Sequence, residues 1–293
     1  DPILPFPFGV RPKGFGKSSH QTDQIGHILF GPVLKDSPGH SFARRIEGVG
    51  QRTALFRDHR LANPGVRRTL PPGDESAKAR RLQFLHALQS PPSLWVGVRG
   101  KPPKEVWTAL RDEGLKPWIH RQLESAARLD RDTDLRPIPA FQDGSLVVED
   151  LGTQAVAKIC DPDPGERWWD LGDGSSLLAL GLADEMAGKG TIVSTFEHEP
   201  ARRSAAERFR TSPFRNVSAK SWDGKRPPGK PGSFDGVLVA PPNSAVGSWR
   251  RHPEVRWIVK AEQIDELVRR QKRLLELAAT ALRPGGTLVY TVG

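Results

Sequence analysis

The segment Asp170-Leu171-Gly172-Asp173-Gly174-Ser175-Ser176 joins an acidic residue to a glycine-rich turn and then to an apolar, helix-like run. At the end of a strand, such a turn lets backbone approach a ligand closely, because glycine places no side chain in the way. Glu197 closes the next apolar run, TIVSTFE. A carboxylate at that point can accept hydrogen bonds from both hydroxyls of a ribose. Asp223 follows a third run, where a carboxylate can face an adenine amino group. Asp170, Gly172, Asp173, Gly174, Ser175, Glu197 and Asp223 are therefore the candidate residues for an adenosine-containing cofactor. The competing reading is a turn that only links strand to helix, since glycine-rich turns of this kind are common.

The elements that must position these residues follow from the pattern of residues 151–293. RWWDL, TIVSTFE, NVSAKS, DGVLVAP and TLVYTV read as strands. SSLLALGLADEM, EPARRSAAERFR and AEQIDELVRRQKRLLELAATALR read as the helices between them. RPGGTLVY reads as a helix end, a turn and a strand. Such alternation predicts an α/β fold with a parallel sheet and helices on both faces. Right-handed crossovers make it a doubly wound, Rossmann-like sheet. The sheet is read as stopping after its fifth strand, which leaves one edge bare. The first residue is Asp, and the chain is expected to be a piece of a longer one.

Residues 76–150 read as a small α/β unit. ESAKARRLQFLHALQ carries Leu82, Leu85 and Leu88 at helical spacing. SLWVGVRG follows as a strand, and PKEVWTALRDEGL as a helix with Val106, Trp107 and Leu110 on one face and Gly114 as its cap. LRPIPAFQDGSLVVED supplies a loop and another strand. Residues 1–75 are rich in Gly, Pro, Ser and Arg, and no function is assigned to them. A short strand is expected within GHILFGPVL. His20, His27, His40 and His59 fit no usual ligand spacing, so no metal site is read.

Composition narrows the function. Lys and Arg number 44 against 34 Asp and Glu, a net charge of +10. That excess favours polyanionic partners, nucleic acid first. One cysteine, Cys160, excludes an internal disulfide and a thiolate zinc site; it is expected as a buried structural residue on a helix. No apolar run reaches the roughly 18 residues of a membrane span, so no membrane partner is read, and a cytoplasmic protein is expected.

The segment FDGVLVAPPNSAVGSWRRHPEVRW carries the sharpest motif. It resembles the strand-four segment of the RsmB/Nop/Sun family of RNA cytosine-C5 methyltransferases. Phe234, Asp235, Val237, Leu238, Pro242, Ser244, Gly247, Arg250, Arg251, His252, Pro253 and Trp257 match without a gap. DPDPGERWWDL resembles the family's approach to strand one, and GSLVVEDLGTQ the segment before it, with Asp150 and Gln154 matching. The resemblance covers residues 80–293. It implies a class I methyltransferase domain over 151–293, a small α/β RNA-binding domain over 76–150, S-adenosyl-L-methionine as cofactor and RNA, ribosomal in the first instance, as partner. Oligomeric state is not set by the sequence.

The same resemblance exposes departures. The family attacks cytosine C6 with a cysteine thiolate, a covalent strategy, and releases product with a second cysteine. Those two positions hold Asn243 and Gly293 here. Ala240 stands where the family has an acid, and Ser176-Leu177-Leu178 where it has a Gly-Gly-Lys triplet. No catalytic residue is therefore assigned. Ala240-Pro241-Pro242-Asn243 also lacks the polar acceptor and aromatic ring that amino-group methylation needs. Arg250, Arg251 and His252 form a compact cationic cluster for RNA phosphates, joined by basic residues between Arg202 and Lys230. Trp249 or Trp257 could stack on an unpaired base, or Trp257 could be core. Arg269, Arg270, Lys272 and Arg273 are read as the wet face of a helix. The expected function is an RNA methyltransferase-family protein that binds RNA and cofactor without C5 chemistry. The alternatives are an active RNA methyltransferase of altered chemistry and a non-catalytic ribosome-assembly factor.

Overall fold

A computed structural model describes residues 29–30, 79, 82, 83, 86, 92–172, 176–252, 254, 255 and 260–292. Its strands are β1 (Leu29–Phe30), β2 (Leu94–Val98), β3 (Trp118–Ile119), β4 (Ala126–Leu129), β5 (Leu146–Val148), β6 (Arg167–Leu171), β7 (Thr191–Phe196), β8 (Val217–Ser221), β9 (Phe234–Val239) and β10 (Leu282–Val292). The helices are α1 (Pro103–Asp112), α2 (Pro139–Gln142), α3 (Leu151–Cys160), α4 (Leu177–Glu185), α5 (Glu199–Thr211) and α6 (Ala261–Ala281).

The larger sheet has the order β1-β10-β9-β6-β7-β8. From β10 to β8 every pairing is parallel, with Trp169 of β6 opposite Val193 of β7 and Val237 of β9. The chain steps outward from β6 through β7 to β8, then returns to β9 on the other side. A crevice opens at such a reversal, beyond the carboxyl ends of the strands. Both faces of the sheet are buried, so its strands read as continuous apolar runs. Trp168, Ile192, Phe196 and Leu238 pack on the face carrying α4. Trp169, Val193, Val237 and Val239 pack on the opposite face with Leu274 and Ala278 of α6. A Cβ at Gly236 would lie 2.2 Å from the Trp168 ring, so glycine is what lets that indole lie on the sheet.

Residues 282–292 form one strand rather than a helix end and a turn, with a register shift between Leu282 and Thr287. Gly285, at φ +78°, accommodates the irregularity within the strand. The edge expected to be bare carries β1, which pairs antiparallel with Thr291 and Val292.

The smaller sheet is antiparallel, with order β3-β4-β2-β5. Val96, Val98, Ala127, Leu129 and Leu146 face a core shared with Val106, Trp107 and Leu110 of α1. The cap of α1 falls on Glu113, and Gly114 follows it at φ +82°. Sequence periodicity missed β3 and β4, which are too short to alternate visibly. The helix expected over 75–89 lies largely outside the described residues; residues 79, 82, 83 and 86 are helical, and Leu82 is exposed.

A buried polar joint connects the two sheets. Arg99, at the end of β2, pairs with Glu149 and also approaches Asp184 of α4 at 3.8 Å. The Gly100 amide donates to Asp184 at 2.8 Å. Burial pushes the Glu149 carboxyl up to about 7, against the opposing pull of Arg99.

Candidate functional site

Asp170 is buried at the carboxyl end of β6, and its Oδ2 accepts from Ser194 Oγ of β7 at 2.6 Å. Gly172 follows the strand, while Asp173, Gly174 and Ser175 lie outside the described residues. Ser176 caps α4 in the left-handed region, at φ +48°, and its hydroxyl accepts from Arg208 at 2.7 Å.

Glu197 and Asp223 come together one strand apart. They line a cleft of about 370 Å³ with Gly224, Lys225 and the α6 residues Glu266, Arg269, Arg270 and Arg273. Each carboxylate follows the end of a parallel strand, which is why both point into the same opening. Glu197 Oε1 accepts from Arg270 at 2.7 Å. Asp223 accepts from the Lys225 amide at 2.8 Å, and that backbone donor holds its carboxyl below the ordinary range. A Cβ at Gly224 would sit 3.3 Å from Glu197 Oε1, so a larger residue would crowd the cradle. Asp170 does not line this cleft.

The arginines of α6 are solvated, but Arg269, Arg270 and Arg273 also line the cleft, which a reading as a plain wet face missed. The basic run in α5 is largely spent on neighbours. Arg202 and Arg203 pair with Glu199, and Arg210 pairs with Glu207. Arg215 donates to the carbonyls of Ser212 and Phe214.

On the β9 side, polar function thins out. Ala240 is buried, and its amide donates to the Leu171 carbonyl at 2.9 Å. Asn243 Oδ1 accepts from the Ala245 amide at 2.6 Å, so this side chain braces its own loop. Gly293 lies outside the described residues, as does Trp257. Trp249 is 3% exposed and belongs to the core, so it offers no face to a base. Arg251 reaches Asp150 at 2.5 Å, and His252 Nδ1 lies 3.3 Å from Glu254; both face solvent. Arg250 is exposed beside them. Cys160 is buried at the end of α3, where burial pushes its thiol well up.

Gln271 was missed by sequence reasoning. Its amide donates to the Pro242 carbonyl at 2.9 Å and its carbonyl accepts from Tyr290 at 3.0 Å. It thereby ties α6 to β10 and to the loop after β9. The signal was a lone amide inside the run RRQKR.

A parallel sheet of this order, with acidic residues at successive strand ends around a cleft, is the Rossmann-like fold of class I methyltransferases. Residues 157–292 match the family model for 16S rRNA methyltransferase RsmB/F. Over that domain the chain is similar to the RsmB/Nop/Sun family of rRNA methyltransferases. It is 30% identical over 216 residues to ribosomal RNA small subunit methyltransferase B of Escherichia coli O157:H7, covering 71% of this chain and 49% of that protein. The counterpart from Salmonella paratyphi B is 29% identical over 217 residues, with the same coverage. The chain thus spans about half the length of these relatives. Among solved structures, a methyltransferase homolog protein from Pyrococcus horikoshii aligns with a TM-score of 0.62 at 19% identity, covering 86% of this chain and 77% of that one. NSun6 from Pyrococcus horikoshii, solved with SFG, aligns with a TM-score of 0.63 at 14% identity, covering 74% and 79%. These two likenesses are of fold.

Proposed function

We propose that this chain binds ribosomal RNA and S-adenosylmethionine and does not methylate cytosine C5. The observation that carries the reading is the contrast between a cleft lined by Glu197 and Asp223 and a β9 loop in which Asn243 is turned onto its own backbone. Two acceptor carboxylates at adjacent strand ends fit the ribose and adenine of the cofactor. Glu197 Oε2 makes no hydrogen bond among the described residues, which leaves it available for a ribose hydroxyl. Asp170, Gly172 and the segment 173–175 would hold the methionine end.

When bound, the cofactor supplies an electrophilic methyl group. The protein's own residues would orient it: Glu197 would hold the ribose, Arg270 braces Glu197, and Gln271 braces the loop that would face the target base. What they do not supply is a thiolate. An amide cannot add to C6, so C5 stays a poor nucleophile. Arg250, Arg251 and His252 would meet RNA phosphates, with residues 76–150 as a second RNA-binding domain.

The test has two arms. Asp170→Ala and Glu197→Ala should each weaken S-adenosylmethionine binding, measured by calorimetry; unchanged affinity rejects the cofactor site. Salt-dependent retention of ribosomal RNA that Arg250→Ala and Arg251→Ala reduce supports the RNA reading, and salt-independent or absent retention rejects it.

A further inference from the structure

We infer that the open face of the four-stranded sheet carries a stacking site for an unpaired RNA base, built from Trp118, Trp95, His120 and Arg128. The inference rests on the RNA reading above and names a contact surface for it.

Strand alternation fixes the face. Leu94, Val96, Ala127, Leu129 and Ile119 belong to the core side. Trp95, Arg128 and Trp118 alternate with them and therefore point the other way. Register places Arg128 opposite both Trp95 and Trp118. Trp118 is 47% exposed, one of few large apolar side chains left in solvent among the described residues. An indole that folding leaves outside forgoes a large burial term.

The rings are held rather than loose. Trp95, Trp118 and His120 meet edge to face, with centroids 6.0, 6.1 and 6.3 Å apart. His120 Nδ1 accepts from the Gln122 and Leu123 amides, which fixes its ring. The Arg128 guanidinium lies 5.1 Å from the Trp118 centroid. Arg128 makes no ion pair among the described residues, so its charge is available to a phosphate. An exposed indole beside a planar cation gives a base a surface to stack on and its backbone a counter-charge.

Position favours RNA as the occupant. The far half of this face is closed, since a Cβ at Gly97 would meet Gln154 of α3 at 2.9 Å. The open half continues toward the cationic loop. The Glu149 amide donates to the Trp95 carbonyl at 3.1 Å, and the next residue, Asp150, holds Arg251. One strand of RNA could thus pass from the Arg250–His252 loop onto the aromatic face.

The experiment measures binding of the full chain to a short fluorescein-labelled single-stranded RNA by anisotropy. Trp118→Ala should weaken binding about 10-fold, and Trp118→Phe should stay within about twofold of wild type. Arg128→Gln should weaken it about threefold and lower the salt slope by about one. On an abasic RNA the wild type and Trp118→Ala should bind alike, because no base is left to stack. If Trp118→Ala fails to fold, as judged by its melting curve, Trp118→Gln, which also removes the stacking ring, takes its place in both comparisons with the same expected losses. Wild-type affinity in Trp118→Ala, with Arg251→Ala still weakened, overturns the stacking site and leaves the RNA reading standing. An equal loss on abasic RNA also overturns it. Absence of RNA binding by the wild type overturns both.

Discussion

The two sheets of this protein solve the same packing problem differently. The parallel sheet is covered on both faces, so its strands have no side left for a ligand, and its polar groups gather at the carboxyl edge. The antiparallel sheet is covered on one face and part of the other, so aromatic and cationic side chains remain on an open surface. A parallel sheet offers an edge, and a half-covered antiparallel sheet offers a plane.

The contrast is most easily broken from within the parallel sheet. Gly236→Ala drives a methyl into the Trp168 ring and should destabilise the fold by about 3 kcal/mol, read by urea denaturation. Trp118→Ala on the open plane should cost about 1 kcal/mol, since its edge-to-face contacts are lost but little core packing is. A similar loss at both positions would mean that the plane is structural. At the edge, Glu197→Ala should lower S-adenosylmethionine affinity by about 10- to 100-fold, as expected for a charged hydrogen-bond acceptor, with melting temperature little changed.

The joint between the sheets gives a pH signature. Burial raises the Glu149 carboxyl to about 7 in the folded protein, against its ordinary 4.5. The folded state therefore holds a proton that the unfolded state has lost across that window. This contribution is fully present below about pH 4.5 and is lost as pH rises through about 7. Asp184, raised by burial in the same cluster, acts in the same sense. Melting curves at successive pH values should decline across this range, and Glu149→Gln should flatten the decline. A pH dependence unaltered by that substitution would remove Glu149 as its source. A local effect is expected at Asn243→Ala, about 1 kcal/mol or less for the lost bond to the Ala245 amide. Cofactor and RNA affinities should not move, because this side chain serves its loop.

Much of this was legible in the residues. The strands RWWDL, TIVSTF and FDGVLV are dense apolar runs, and burial on two faces makes such runs conspicuous. Glu197 and Asp223 were legible because strand ends are where a parallel sheet exposes polar side chains. β3 was not, since two residues cannot display a period. The strand over 282–292 was hidden because Pro284, Gly285 and Gly286 are ordinary turn signals, and they fall in the irregularity between the pairings of Leu282 and Thr287 with β9. Trp249 resembled a stacking residue by type, yet it is core; Trp118 is exposed for a reason that only sheet register reveals. Arg270 could not be assigned to Glu197 from sequence, because the ion pair spans 73 residues.

The most direct test is methyl transfer from labelled S-adenosylmethionine to unmodified ribosomal RNA, read by nucleoside mass spectrometry. The account predicts bound cofactor, bound RNA and no 5-methylcytidine. Formation of 5-methylcytidine by the purified chain would contradict it, because no thiolate stands where the family's chemistry requires one.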